Sequence, residues 1–389
     1  MVSDPARSRQ IAIFYVATFL FWSSTYIYMP VLAVHAQQNL GASMALVGII
    51  VGSYSLAQFA LRVPIGIWSD RIGRRKPFMV AGMVAAAVAG AGLALSTDPE
   101  WLVVWRGVSG VTAAAWVAYT VLFCSYFPYN QTTRAMGYLT FVAGASQMVS
   151  TFAGGLIAQE WGWTVPFYAA AGLGLLGTIA VFPLAEKPLA ARGSANMGQM
   201  IAIGTVPLLL VVSVVAMLGS WTQWATVNGF SLVYAWLLGA SRTELGMLTT
   251  AVQAAYTIST IGSAFLAERI GLKWAVMLGV GLQAVGALMV PAMNNLPLIA
   301  LTQAIGGAGR GISYPLLMSL SIRAVSPRDR ATAMGVFQAI YAIGGFAGPA
   351  STGLLGDAFG MNSIFLVAAI ASILGVILVA AKVPHKEIG

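Results

Sequence analysis

Apolar residues run through this chain in stretches of about 20 or more, separated by short polar breaks. A membrane-crossing helix needs about 20 mostly apolar residues. Twelve such segments are predicted, over 11–34, 45–66, 77–96, 101–123, 134–158, 163–184, 200–235, 243–266, 273–293, 296–320, 329–356 and 360–382. The seventh and eleventh are long and are expected to bend at glycines or to project past the bilayer. No intervening stretch is long and polar enough for a soluble domain. Residues 185–199, with Pro188, Gly193, Ser194 and charges of both signs, form the one candidate linker. The predicted fold class is therefore an all-α membrane protein. It divides into an N-terminal six-helix bundle (1–184), a linker (185–199) and a C-terminal six-helix bundle (200–389).

Composition supports lipid as the solvent. Apolar residues make up 59% of the chain and charged residues 8%, against about 25% charged in soluble proteins. The net charge of +9 does not point to nucleic acid, because the bases are not gathered on a soluble binding module. The single cysteine, Cys124, excludes an intrachain disulfide and a cysteine-cluster metal site. Residues 1–10 are followed by an apolar run too long for a cleaved leader, so a retained first membrane helix is expected.

The bases also set a topology. With the N-terminus inside, 16 of the 20 Lys and Arg residues fall in inner segments. Arg242 alone falls in an outer loop, and Arg62, Arg106 and Arg310 fall within helices. The positive-inside rule then places both termini in the cytoplasm. A bacterial inner membrane is the expected location.

The densest charge lies between the second and third segments, in Gly66-Ile67-Trp68-Ser69-Asp70-Arg71-Ile72-Gly73-Arg74-Arg75-Lys76. A weaker copy, containing Glu268, Arg269, Gly271 and Lys273, begins at Ala264, 198 residues later. Arg134-Ala135-Met136-Gly137 and Thr332-Ala333-Met334-Gly335 share the same spacing. Two repeated halves suggest a transporter whose site lies between them near the midplane, with access alternating by rocking.

Twelve segments and this loop resemble the major facilitator superfamily (MFS) of secondary transporters. Gly66, Asp70, Arg71, Gly73, Arg74 and Arg75 match the family's loop motif. The resemblance implies a gate at that loop, with Asp70 and Arg71 stabilising the outward-open state and Glu268 and Arg269 as the second copy. A positive-inside loop without a gating role is the plain alternative. Arg106 followed by Gly110 resembles the family's fourth-helix motif, which is linked to proton coupling; Gln303 is its counterpart in the second half. The antiporter motif of helix five is incomplete: Gly154-Gly155 is present, but Ser150-Thr151 stands where Gly-Pro is expected. Gly348-Pro349 occurs at the matching place in helix eleven. This departure counts against drug–proton exchange.

Charges within a membrane cost several kcal/mol, so each marks a candidate site. The chain's 11 acids all lie in loops or at helix ends. Three arginines lie deeper. Arg62 shares a stripe with Tyr54 and Gln58; Arg310 shares a face with Gln303 and Tyr314; Arg106 sits in helix four. The family resemblance implies that helices one, four, seven and ten line the path, which puts Arg106 and Arg310 on it. Arginine stays charged and grips carboxylate or phosphate with two donors, so a cargo with an acidic group is expected. Arginines paired with helix carbonyls are the competing reading.

Aromatic faces add a second clue. Trp221, Trp224 and Asn228 fall at helical spacing in segment seven, and Trp22 and Tyr26 in segment one. They suit stacking on cargo or an interfacial belt. His35 and His385 are poorly placed as a midplane relay, so protons remain one of several coupling choices. The glycines at 172, 174 and 177 have dinucleotide spacing but lie in an apolar helix and read as close packing. No metal-ligand spacing and no nucleophile–base pair can be defended, so neither an enzyme nor a cofactor is expected. The expected partners are a small-molecule substrate, the lipid bilayer and possible coupling protons, with no nucleic acid. A monomer is expected, because one chain holds both halves of the path. The rival readings are a proton-coupled exporter of lipophilic compounds and a carrier of sugars or other neutral solutes.

Overall fold

A computed structural model describes residues 5–128, 131–186, 202–326 and 329–384. Its described residues are helical and group into twelve long segments without strands. Helix α1 runs over Pro5–Tyr26, turns at Ile27 and Tyr28, and resumes over Met29–Val34 and the π turn His35–Asn39. There follow α2 (Met44–Ile72), α3 (Lys76–Leu95), α4 (Pro99–Ser125), α5 (Thr132–Trp161) and α6 (Val165–Val181). The second half begins with α7 (Pro207–Ala225, extended by the π turn Thr226–Phe230 and by Ser231–Leu237). It continues with α8 (Arg242–Ile270), α9 (Leu272–Met289), α10 (Leu296–Arg323), α11 (Arg330–Phe359) and α12 (Met361–Lys382).

Proline and glycine punctuate these helices. Proline opens the first turn of α3, α4, α6, α7 and α10, where its missing N–H has no intrahelical partner to lose. Helices α5, α8 and α11 end on Gly162, Gly271 and Gly360, with φ of 99°, 88° and 84°. That region suits glycine. The seventh segment differs from its predicted span: α7 starts at Pro207, behind an extended Val206, not at 200. Helices α2 and α8 overrun their predicted ends to Ile72 and Ile270, because hydrophobicity marks the span and not the helix that continues beyond it.

Nine of the described helices are long and apolar enough to cross a membrane. Helices α8 and α10 are long enough, but glutamine, threonine, tyrosine and arginine dilute their apolar character. Large apolar side chains face outward along the bundle; Ile258 and Ile261 are 70% and 72% exposed. A soluble protein rarely tolerates such a surface.

The two halves meet along two seams, α2 on α11 and α5 on α8. Both seams are tight at the end opposite the charged loop of Arg71, Arg74, Arg75 and Lys76, which we call the basic end. A Cβ at Gly48 would collide with the carbonyl of Pro349. A Cβ at Gly246 would lie 2.9 Å from Gly155 Cα and 3.0 Å from the carbonyl oxygen of Thr151. At the far end the Asp357 carboxylate accepts from the N–H groups of Met44 and Ala45, both at 2.9 Å, capping α2 from the other half. Gln159 Oε1 accepts from Arg242 N at 3.1 Å, capping α8 in the same manner. Gly48 and Gly246, Thr151 and Pro349, Gln159 and Asp357, and Met44 and Arg242 each stand 198 residues apart. Toward the basic end, a Cβ on Gly66, Gly137, Gly262 or Gly335 would meet nothing within 4 Å.

Candidate functional site

Arg310 sits midway along α10 and borders two adjoining small hollows. The larger is walled by α7, α8, α9 and α10, with Gln223, Gln253, Gln283 and Gln303 among its polar residues. The smaller adds Ser220, Ser313, Tyr314 and Tyr341. Arg310 Nη2 donates to the Tyr341 hydroxyl at 3.2 Å. Its guanidinium stands 4.5 Å from the centroid of Tyr256 and 5.8 Å from that of Tyr314. Ring faces and a phenol hydroxyl hold this cation, and its Nε is buried without a hydrogen-bond partner among the described residues. Tyr26 of α1 and Arg62 of α2 approach from the other half but line neither hollow. Tyr26 lies within electrostatic range of both Arg310 and Arg106, and Arg62 of Tyr54, Tyr314 and Tyr341.

Arg106 is held differently. It is 1% exposed and donates to the Tyr28 hydroxyl at 2.6 Å and to Ser109 Oγ at 3.3 Å. Met29 Sδ stands 3.2 Å from its Nη2. Its guanidinium lies 4.3 Å from the Tyr54 centroid and 5.4 Å from that of Tyr28. It borders neither hollow around Arg310.

The aromatic residues form two groups. Trp22 packs against Tyr26, Phe21 and Trp116 with centroids 5.1–5.8 Å apart. Trp224 is buried on Tyr54, 5.5 Å between centroids. Trp221 abuts Gly348 of α11. The indole nitrogens of Trp22 and Trp221 and Nδ2 of Asn228 are buried without partners among the described residues. Gln58 is half-buried on α2, one turn from Arg62.

The match to known proteins follows this architecture. The family model described as Major Facilitator Superfamily matches residues 14–237 and again 209–389. The chain belongs to the major facilitator superfamily. Members of this superfamily are transporters and not enzymes, and the chain is a multi-span membrane transporter for a small molecule. The cis,cis-muconate transport protein of Acinetobacter baylyi is 24% identical over 338 residues, 82% of this chain and 81% of that protein. The multidrug resistance protein MdtH of Aeromonas hydrophila is 25% identical over 368 residues, 90% and 89% of the two chains. The crystal structure of nucleoside transporter NupG superposes with a TM-score of 0.79 at 14% identity, covering 98% of this chain and all of that one. That likeness speaks to the fold alone.

Within this MFS fold the charged loop is tied to its own half. Gly73 turns it with φ 67°. Glu186, just past α6, accepts from the backbone N–H groups of Arg75 and Lys76. Lys76 Nζ donates to the carbonyls of Phe182 and Leu184. Arg75 is buried and donates to Ser69 Oγ, whereas Arg71 and Arg74 are exposed. The side chain of Asp70, His385 and nearly all of the 185–199 linker lie outside the described residues. In the second copy Glu268 and Arg269 are exposed, and Arg269 stacks on Phe265 of its own helix at 4.3 Å.

The MFS halves thus bring Arg62 and Tyr26 toward Arg310, Tyr314 and Gln303, while Arg106 lines neither hollow but lies within electrostatic range of Tyr26. Gln223, Gln253, Gln283, Tyr256 and Tyr341 escape a search for charges in helices. The available signal is five glutamines within helices of the second half, at 223, 253, 283, 303 and 338, four of which border the larger hollow.

Proposed function

We propose that this transporter moves a small organic anion, or a solute with an acidic group, across the bacterial inner membrane by alternating access. One observation carries the reading: Arg310 is a permanent cation, at mid-helix, bordering a hollow with only neutral groups around it. A guanidinium next to a carboxylate makes charge-assisted, bidentate bonds. Arg62 adds positive potential from the opposite half, and Tyr26 supplies a hydroxyl between the halves. Trp22, Trp221, Trp224 and Asn228 line the route rather than grip charge. Arg106 acts by packing, stacked on Tyr54 and bonded to the Tyr28 hydroxyl. The muconate-carrying relative is consistent with a carboxylate cargo.

With the termini and the basic end in the cytoplasm, the far-end seams are the outer gate, drawn closed, and the hollow is reached from inside. Asp70 and the bases after it would latch the inner gate in the opposite state. The chain acts as a monomer, since both halves of the path are in cis. No membrane-embedded acid offers a proton site, so coupling through the cargo's own charge fits better than a carboxylate relay.

The multidrug-resistance relative and the Trp22–Trp116 aromatic cluster favour a second reading, export of lipophilic compounds. Counterflow in proteoliposomes decides between them. Uptake of a labelled dicarboxylate that falls at least tenfold in Arg310→Gln, and partly recovers in Arg310→Lys, is the expected result. Transport of lipophilic cations unchanged by Arg310→Gln would replace the anion reading with the exporter.

A further inference from the structure

The hollow next to Arg310 holds a cluster of amide groups that an anion alone does not explain. Gln303 is 1% exposed, Gln283 4% and Gln223 7%. In each, the side-chain oxygen is buried without a hydrogen-bond partner among the described residues. Gln303 Nε2 donates to the Gly286 carbonyl at 3.4 Å. That carbonyl can only accept, so the Gln303 oxygen is the free end. Gln283 Nε2 donates to Ser313 Oγ at 3.0 Å. A hydroxyl serves either amide end, so Gln283 presents one free end in either orientation. A buried polar group left unpaired is destabilising, and three such groups border one hollow. Leucine or methionine fits an apolar helix better unless a ligand or an ordered water completes these bonds.

We infer that Gln223, Gln283 and Gln303 form a hydroxyl-binding subsite beside Arg310, so that the cargo is a polyhydroxylated carboxylic acid. This rests on the anion reading above and narrows it. Amide oxygens call for O–H or N–H donors. Ammonium is disfavoured, because Arg310 shares both the hollow and the wall residue Gln283, and no carboxylate borders it. Hydroxyls both donate and accept, and so satisfy either end of Gln283. A lipophilic acid would satisfy Arg310 and leave the amides unpaired; a site built to bond a hydroxyl rejects analogues that lack it.

The subsite also has a mechanical support. A Cβ at Gly219 of α7 would lie 3.3 Å from Gln283 Oε1 and 3.5 Å from its Nε2. Glycine there gives the amide room to turn toward cargo.

The test uses the full-length purified protein and three six-carbon probes: gluconate, hexanoate and glucose. Ligand-dependent thermal shifts give apparent affinities. Gluconate is expected to bind at least tenfold more tightly than either of the others. Gln303→Leu and, separately, Gln223→Leu are expected to weaken gluconate roughly tenfold each while leaving hexanoate unchanged. Gln223→Leu keeps the test open should loss of the Gly286 contact impair folding of Gln303→Leu. Arg310→Gln is expected to abolish the advantage of gluconate over glucose. Equal binding of gluconate and hexanoate, both lost in Arg310→Gln, would overturn the subsite and leave the anion reading standing. Equal binding of gluconate and glucose, both insensitive to Arg310→Gln, would overturn the anion reading and with it the acid proposed here. No shift with any probe overturns both.

Discussion

The two seams that close the far end share a plan and differ in one chemical detail. In the α5–α8 seam an amide, Gln159, caps the helix of the other half; in the α2–α11 seam a carboxylate, Asp357, does so at the equivalent position. The base is displaced too: Arg242, where the other seam has Met44, donates from Nη1 to the carbonyl of Ala158 at 2.9 Å. In the cross-half contacts described, the α2–α11 seam uses an acid at the end of α11 and the α5–α8 seam a base at the start of α8. The acid complements the positive N-terminal end of α2, and the base meets the negative C-terminal end of α5. Duplication set the positions, and the second side of each contact diverged while its electrostatic sense was kept.

The comparison breaks most strongly at the glycines. In Gly48→Leu a side chain must displace the Pro349 carbonyl, and overpacking of this kind costs about 1–3 kcal/mol. The far end should open. Spin labels on the α1–α2 and α11–α12 turns, read by pulsed EPR, should show a longer separation become the major population. Gly246→Leu should do the same to the other seam, where the obstacles are the Thr151 carbonyl and Gly155. An unchanged distance distribution in both variants would mean that these crossings do not hold the gate.

Removing the caps is milder. Asp357→Ala loses two bonds to α2, and a lost N-terminal cap costs about 0.5–2 kcal/mol. The open population should rise roughly fivefold in the same EPR measurement. Gln159→Leu loses one neutral bond, about 0.5–1.5 kcal/mol, and Arg242 still holds Ala158. Its effect should be smaller than that of Asp357→Ala. The reverse ranking would show that the carboxylate contributes nothing beyond the amide.

Much of this architecture is legible in the sequence, and the reason is physical. Twelve apolar runs follow from bilayer thickness, and the spacing of 198 residues shows in Asp70-Arg71 against Glu268-Arg269 before any coordinate is known. The seams are harder to read. Gly48 and Pro349 are 301 residues apart, and nothing local marks a glycine as a cross-half contact. Arg106 and Arg310 look alike in sequence, each an arginine in an apolar helix. Their surroundings separate them: Tyr28 and Tyr54 enclose the first, whereas Gln223, Gln283 and Gln303 leave polar space beside the second. A search for charged residues finds both arginines and passes over glutamine, whose free amide oxygen becomes informative only once its neighbours are known.

The smallest expected effect is the most discriminating, because it has the opposite sign. Gln159→Glu places a carboxylate where the second seam has an amide, making it resemble the Asp357 seam. The new charge meets the N-terminal turn of α8 and lies near Arg242, whose backbone N–H Gln159 already binds. A carboxylate at a helix N-terminus gains about 0.3–1 kcal/mol in exposed settings. The far end should therefore close further, and the open population should fall about two- to fivefold. In an Asp357→Asn background the same substitution should restore closure lost at the first seam, because either seam holds the same pair of halves together. Salt separates this from a packing effect: the gain should shrink between low and high ionic strength, while the opening caused by Gly48→Leu should not. A gain that survives high salt would mean the glutamate acts by shape, and the electrostatic kinship of the two seams would fail.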